Sequence, residues 1–206
     1  MKTKQYLIFT CCRSRIIVLF IPLLIFGGIK AENRLFPVSV SVLNQSWAFP
    51  MSGFTRFTPL YPGVTTGIFR LRADRLFSFP QSAHLGYFYN NVAGSAAFLY
   101  VDQGIHFSPK CGFYADISLG LGYMQAFHPR DIYRKENDVY EKVRDLGKPS
   151  FMFSFSQSIG YDLTIKFSMP IAPFIKYQWI ASYPYFDMVF PIRPSSMVHL
   201  GTLIYF

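Results

Sequence analysis

Three histidines, three aspartates and three basic residues stand out because their neighbours are mostly Ser, Gly or apolar side chains. They are His84, His106 and His199; Asp102, Asp116 and Asp162; Arg70, Arg72 and Lys176. Such a set has three chemistries open to it. Histidines that converge beside a fixing carboxylate bind a transition metal. A serine next to a histidine oriented by an acid becomes a nucleophile. Acids and bases shut away from water pair into an ion and hydrogen-bond network. The spacing favours the third. The histidines lie on separate segments without the spacing of known metal sites. His84 and His106 could approach as a pair, but no third ligand suggests itself, so no metal or other cofactor is expected. Ser154, Ser156 and Ser158 are plentiful, yet no histidine stands at a matching position on a neighbouring segment.

The elements that carry these residues are strands. In "GFYADISLGLGYMQAF" (112–127), Phe113, Ala115, Ile117, Leu119, Leu121 and Tyr123 alternate with Tyr114, Asp116, Ser118, Gly120 and Gly122. "FMFSFSQSIGYDL" and "AAFLYVDQGIHF" repeat the pattern. A period of two gives a strand two different faces. Here one face is apolar, and the other is small or polar with hardly any Lys or Glu. That second face suits a crowded interior better than a solvated surface, and the first suits lipid. A transmembrane β-barrel shows this alternation in segments of about ten residues. The soluble rival, a periplasmic barrel with a ligand cavity, would place its apolar face inside.

The count of strands is about 36–48, 64–73, 82–91, 95–108, 112–127, 150–163, 170–182 and 196–206. Eight is an even number, as single-chain outer-membrane barrels require. Long connections follow the first, fifth and seventh strands and shorter ones the second, fourth and sixth; the short "NVAGS" connection departs from that rule. Long outer loops and short periplasmic turns are the expected asymmetry, which puts both termini in the periplasm. Eight strands leave room for side chains only, so the lumen is expected to be filled. The register expected here points Arg70, Arg72 and Lys176 inward against Asp102, Asp116 and Asp162, with His84, His106 and His199 beside them.

The first 31 residues carry Lys2, Lys4, Arg13 and Arg15, then the uncharged run "IIVLFIPLLIFGGI" at 16–29. A basic start, a short apolar core and Ala31 at a plausible cleavage point read as a signal peptide; about 20 residues would be needed to span a membrane as a helix. Residues 32–206 then form one domain, an all-β, eight-stranded antiparallel transmembrane barrel. Its 15 basic and 11 acidic residues are scattered, which disfavours nucleic acid as a partner. Cys111 is its single cysteine, so it holds no internal disulfide.

The loops are the expected contact surfaces. The first loop, "FPMSGFTRFTPLYPG", carries Phe54, Phe57 and Tyr61, too many aromatics for a free loop, and reads as a lid or a docking site. The loop 128–149 carries Arg134, Lys135, Tyr140, Lys142 and Arg144, and "RKENDVYEKVRDL" could form a short helix with Val139, Val143 and Leu146 on one side. Its expected neighbours are outer-membrane lipid, lipopolysaccharide phosphates or a partner outer-membrane protein.

The last strand, "SSMVHLGTLIYF", has Val198, Leu200, Ile204 and Phe206 at even positions, with Thr202 as a mild departure. It resembles the C-terminal signal that the barrel-assembly machinery recognises. "GFTRFTPLYPGVTTG", "GFYADISLGLGYMQAFHP" and "YEKVRDLGKPS" resemble small uncharacterised outer-membrane barrels of the Bacteroidota, over most of the chain after residue 31. That resemblance implies a fold and a place in the outer membrane, and no activity. Lipid A deacylases are barrels of this size, but their motif, a His followed closely by Ser-Asn, has no counterpart at His106 or His199. The function expected is therefore structural or accessory; the rivals are a lipid A-modifying hydrolase and the soluble barrel.

Overall fold

The computed structural model describes residues 34–46, 60–72, 76–91, 94–109, 111–129, 132–136, 139–143, 146–184 and 192–206. The expected signal peptide, Phe54, Phe57 and Arg144 lie outside the described residues. No described helix is long and apolar enough to cross a membrane.

Eight long strands build the sheet: β1 (Val38–Ser46), β2 (Pro62–Arg72), β3 (Gln81–Phe88), β4 (Ala96–Phe107), β5 (Phe113–Ala126), β6 (Lys148–Tyr161), β7 (Ile171–Tyr183) and β8 (Arg193–Ile204). Each is antiparallel to its chain neighbour, and β8 returns to pair with β1, with His199 opposite Leu43. The sheet is therefore closed and these strands have no free edge. Two short pieces lengthen it at one end. Arg34–Leu35 pairs with the end of β2, and Phe77–Ser78 pairs with the end of β4.

Alternation along each strand decides which side chains face lipid and which fill the lumen. On the outer wall stand Val42, Val64, Leu85, Leu119, Ile175 and Leu200, and all are exposed. Between them, pointing inward, lie Ser41, Thr65, His84, Ser118, Lys176 and His199. A soluble barrel has the opposite polarity. The expected interior of β2 needs correction. Arg70 shares the outward side with Val64 and Ile68, and Phe69 takes the inward place, packed on the lumen residues. Arg72 lies at the same spacing along β2, opposite Arg34 in the ladder.

The strand ends fall into two sets. At the turn end, β4 and β5 are joined by the tight connection at Ser108–Gly112, where Gly112 has φ +91°, a backbone state that L side chains rarely adopt. A one-turn helix, α1 (Thr164–Phe167), joins β6 to β7. Asp162 belongs to this connection. Its Oδ1 accepts from the Thr164 amide at 2.8 Å and from the Thr164 hydroxyl at 2.6 Å. The expectation that it joins the lumen network is thus corrected: a carboxylate that caps a turn is already satisfied locally.

At the loop end, the charged segment between β5 and β6 is not helical. It forms a hairpin of Ile132–Glu136 and Val139–Val143 that places Arg134 opposite Glu141 and Lys135 opposite Tyr140. Lys142 stands opposite Tyr133. Among the described residues this two-stranded sheet pairs with nothing else. Tyr61 sits at the base of the first loop, half-buried, where its amide donates to Asn44 Oδ1 at 2.7 Å.

β8 ends before the chain does. The Tyr205 amide donates to the Pro170 carbonyl at 2.9 Å, while Phe206 is 89% exposed. Backbone pairing at this end therefore reaches Tyr205. Val198, Leu200 and Ile204 keep to the outward alternation of β8.

Inside, large side chains are fitted against inward glycines. A Cβ on Gly86 would lie 2.4 Å from the Phe98 ring, closer than any real contact. Replacing Gly86 by leucine should therefore lower barrel stability by about 1–3 kcal/mol through overpacking. The outward Leu85→Ala, measured by urea unfolding in the same lipid, is the control and should cost less.

Candidate functional site: a sealed polar layer in the lumen

The lumen is built in three layers. Towards the loop end, Phe88, Phe98, Met124, Met152, Ile180 and Met197 form an apolar plug, with Met152 and Met197 fully buried. Towards the turn end, Tyr114, Ala172, Phe174 and Leu203 pack with Phe69 and Tyr205. The polar layer lies between them.

Its centre is Asp102 on β4, which is buried. The Ser82 hydroxyl donates to Asp102 Oδ1. The Lys176 ammonium lies 3.5 Å from Oδ2, His84 Nε2 lies 3.6 Å from it, and the Ser118 hydroxyl donates to it at 3.3 Å. These partners come from three strands, β3, β5 and β7, so with Asp102 on β4 the network ties four strands together across the lumen. Lys176 also donates to the Tyr100 hydroxyl at 3.3 Å, and Tyr100 donates to Gln178 Oε1 at 3.5 Å. His199 Nε2 lies 3.0 Å from the same amide oxygen, which makes that nitrogen the donor; Nδ1 then accepts from the Ser41 hydroxyl at 3.4 Å. The His84 ring stacks on Tyr100 with centroids 4.7 Å apart.

A second cluster lies nearer the turn end. His106 Nδ1 contacts Asp116 Oδ1, and Asp116 Oδ2 accepts from the Ser158 hydroxyl at 2.7 Å. Ser118 and Ser156 share a hydrogen bond of 2.6 Å that joins this region to Asp102. His84 and His106 are held by different carboxylates. Among the described residues, no three His, Cys, Asp or Glu side chains converge as metal ligands would. Just beyond β8, burial first, and then the Asp162 and Asp116 carboxylates, push the Tyr205 hydroxyl above its ordinary pKa.

No family model matches the chain, and no curated protein matches it. Among solved structures, Ail, the attachment invasion locus protein of Yersinia pestis, superposes with a TM-score of 0.51 at 9% identity, covering 85% of this chain and 100% of Ail. The fold is that of a small outer-membrane barrel. Neisserial surface protein A aligns at 10% identity over 86% of this chain and 100% of its own, with a TM-score of 0.47. The N-terminal β-barrel domain of Pseudomonas aeruginosa OprF gives 15%, 86% and 100%, with a TM-score of 0.43. At such identities the likeness concerns the path of the chain, and the side chains of the lumen must be read by themselves.

Read so, the trio Ser82, His84 and Asp102 has the residue types of a hydrolytic triad and a different geometry. A triad places the serine on one ring nitrogen and the acid on the other. Here both approach Nε2, and the serine donates to the acid directly. All three are buried between the two apolar layers. What the arrangement does is satisfy buried charge. Of the residues expected here from sequence, Asp102, Asp116, Lys176 and the three histidines face the lumen; Arg70 and Asp162 do not join them. Tyr100 and Gln178, which link Lys176 to His199, were missed. Their signal was present in the alternation, since each shares the inward side with the charged residue two positions away.

Proposed function

We propose that the protein is an integral outer-membrane barrel with a structural or accessory role, inserted with its lumen filled and both termini on the periplasmic side. One observation carries this reading: the closed sheet has an apolar outer wall around a lumen with a polar middle layer, and that wall exposes Val, Leu, Ile or Phe on every strand. Exposed apolar surface on that scale needs a lipid solvent. Aromatic residues stand near both ends of the strands, among them Tyr87 and Tyr183 towards the loops and Phe113 and Phe107 towards the turns. Such rings favour the two interfaces of a bilayer.

The filled lumen argues for a wall component over a pore, so contacts are left to the loop end. The hairpin at 132–143 is the surface we assign to them, facing lipopolysaccharide or a partner outer-membrane protein. The last strand is read by the assembly machinery through Val198, Leu200, Ile204 and Phe206. Membrane fractionation with a heat-shift gel is the test. The chain should sediment with outer membranes and run faster unheated than boiled. Recovery in the soluble periplasm would overturn the reading. Exchanging residues 132–143 for a short Gly-Ser turn should keep the heat shift and lose any co-purifying protein; retention of that protein would remove the hairpin's role.

A further inference from the structure

The polar layer is sealed unequally. On the loop side Met152 and Met197 are fully buried and Phe98 is 1% exposed. On the turn side the Asp116 side chain keeps 21% of its surface, against 5% for Asp102 deeper in. Ser118, between the two carboxylates along the lumen, and Ser158, opposite Asp116 in the ladder, are half-buried. Among the described residues, the polar side chains of the lumen are therefore more open on the turn side than on the loop side.

Between these side chains lies a space of about 40 Å³, lined by Ser39, Thr65, Ser82, His84, Asp102 and Lys176 among others. A buried water needs about 10–15 Å³ of such space and two to four polar partners. Thr65 borders this space, is buried, and has a hydroxyl with no partner in the protein. A buried hydroxyl left without a hydrogen bond is costly, and most such groups in folded proteins are satisfied by water.

We propose that the lumen holds a file of two or three bound waters, anchored by the Thr65 hydroxyl and the serines around Asp102, and filled from the turn end only. The barrel is then a blind aqueous vestibule. Its Lys176–Asp102 pair exchanges with water on one side of the membrane, and the methionine-rich plug closes the other. Buried charges solvated in this way need fewer direct partners, which is why one lysine can serve a lumen that also holds Asp102 and Asp116.

Two measurements on the full barrel in lipid vesicles test the proposal. In solid-state NMR, magnetisation passed from water should reach the amides of Thr65, Ser82 and Ser156 several-fold faster than those of Phe98, Met152 and Met197. Equal transfer to both groups, or none to Thr65, overturns it. The second is the urea midpoint of Thr65→Val. If water holds the hydroxyl, the isosteric valine strands that water and lowers the midpoint, while Thr65→Ser leaves it nearly unchanged. A rise in the midpoint for valine means the hydroxyl was unpaired and the site dry, and the proposal fails.

Discussion

Replacing Lys176 by methionine is expected to destabilise the barrel more than any other single change to the polar layer. The ammonium sits 3.5 Å from Asp102 and 3.3 Å from the Tyr100 hydroxyl. Its loss leaves a carboxylate buried among neutral groups, and breaking a buried pair in this way costs about 3–5 kcal/mol. Ser82, Ser118 and His84 remain around Asp102 and soften the loss. The control is the double variant Lys176→Met with Asp102→Asn. Removing both charges takes away the desolvation cost with the attraction, so the double variant should be more stable than Lys176→Met alone. Equilibrium unfolding of the four proteins in one detergent gives the cycle. Strictly additive losses would mean that the two groups do not interact, and the network described above would be wrong.

The reason for that sensitivity is also the reason the site was partly legible in the sequence. An inward face made of Ser and Gly can tolerate an isolated Asp or Lys only if the charges meet across the lumen, so Asp102, Asp116 and Lys176 announced one another. Alternation alone cannot say where a strand's inward face stops. The register expected from the sequence turns Arg70 inward. Yet Val64 and Ile68 already fixed its parity, and at the turn-end rim an arginine can keep its long stem on apolar surface and its head in water. Asp162 looked like one more inward residue. It stands two residues before Thr164, the pattern of an Asx turn, and there the local hydrogen bond wins. The hairpin strands Ile132–Glu136 and Val139–Val143 stand where Val139, Val143 and Leu146 mimic a helical stripe. Ile132, Tyr133, Val139, Tyr140 and Val143 are β-branched or aromatic, and that strand preference decided the outcome.

A single arginine on the outer wall separates lipid from water as the solvent of that surface. Leu119 is 54% exposed and lies near the middle of β5, between Gln103 and Phe155 in the ladder. In a soluble barrel, Leu119→Arg would remove exposed apolar surface and leave stability unchanged or improved. In a bilayer the same change should cost about 2–4 kcal/mol at mid-depth and close to nothing near the interfaces. The profile along one strand is therefore the informative quantity. Arginine at Phe113, Ile117, Leu119, Leu121 and Tyr123 in turn should trace a peak centred on Leu119, read by reversible urea unfolding into vesicles. Thickening the bilayer should broaden that peak, because more of β5 then lies in hydrocarbon. A flat profile would show that water already covers this wall, and the inside-out polarity of the barrel would need another partner to cover it.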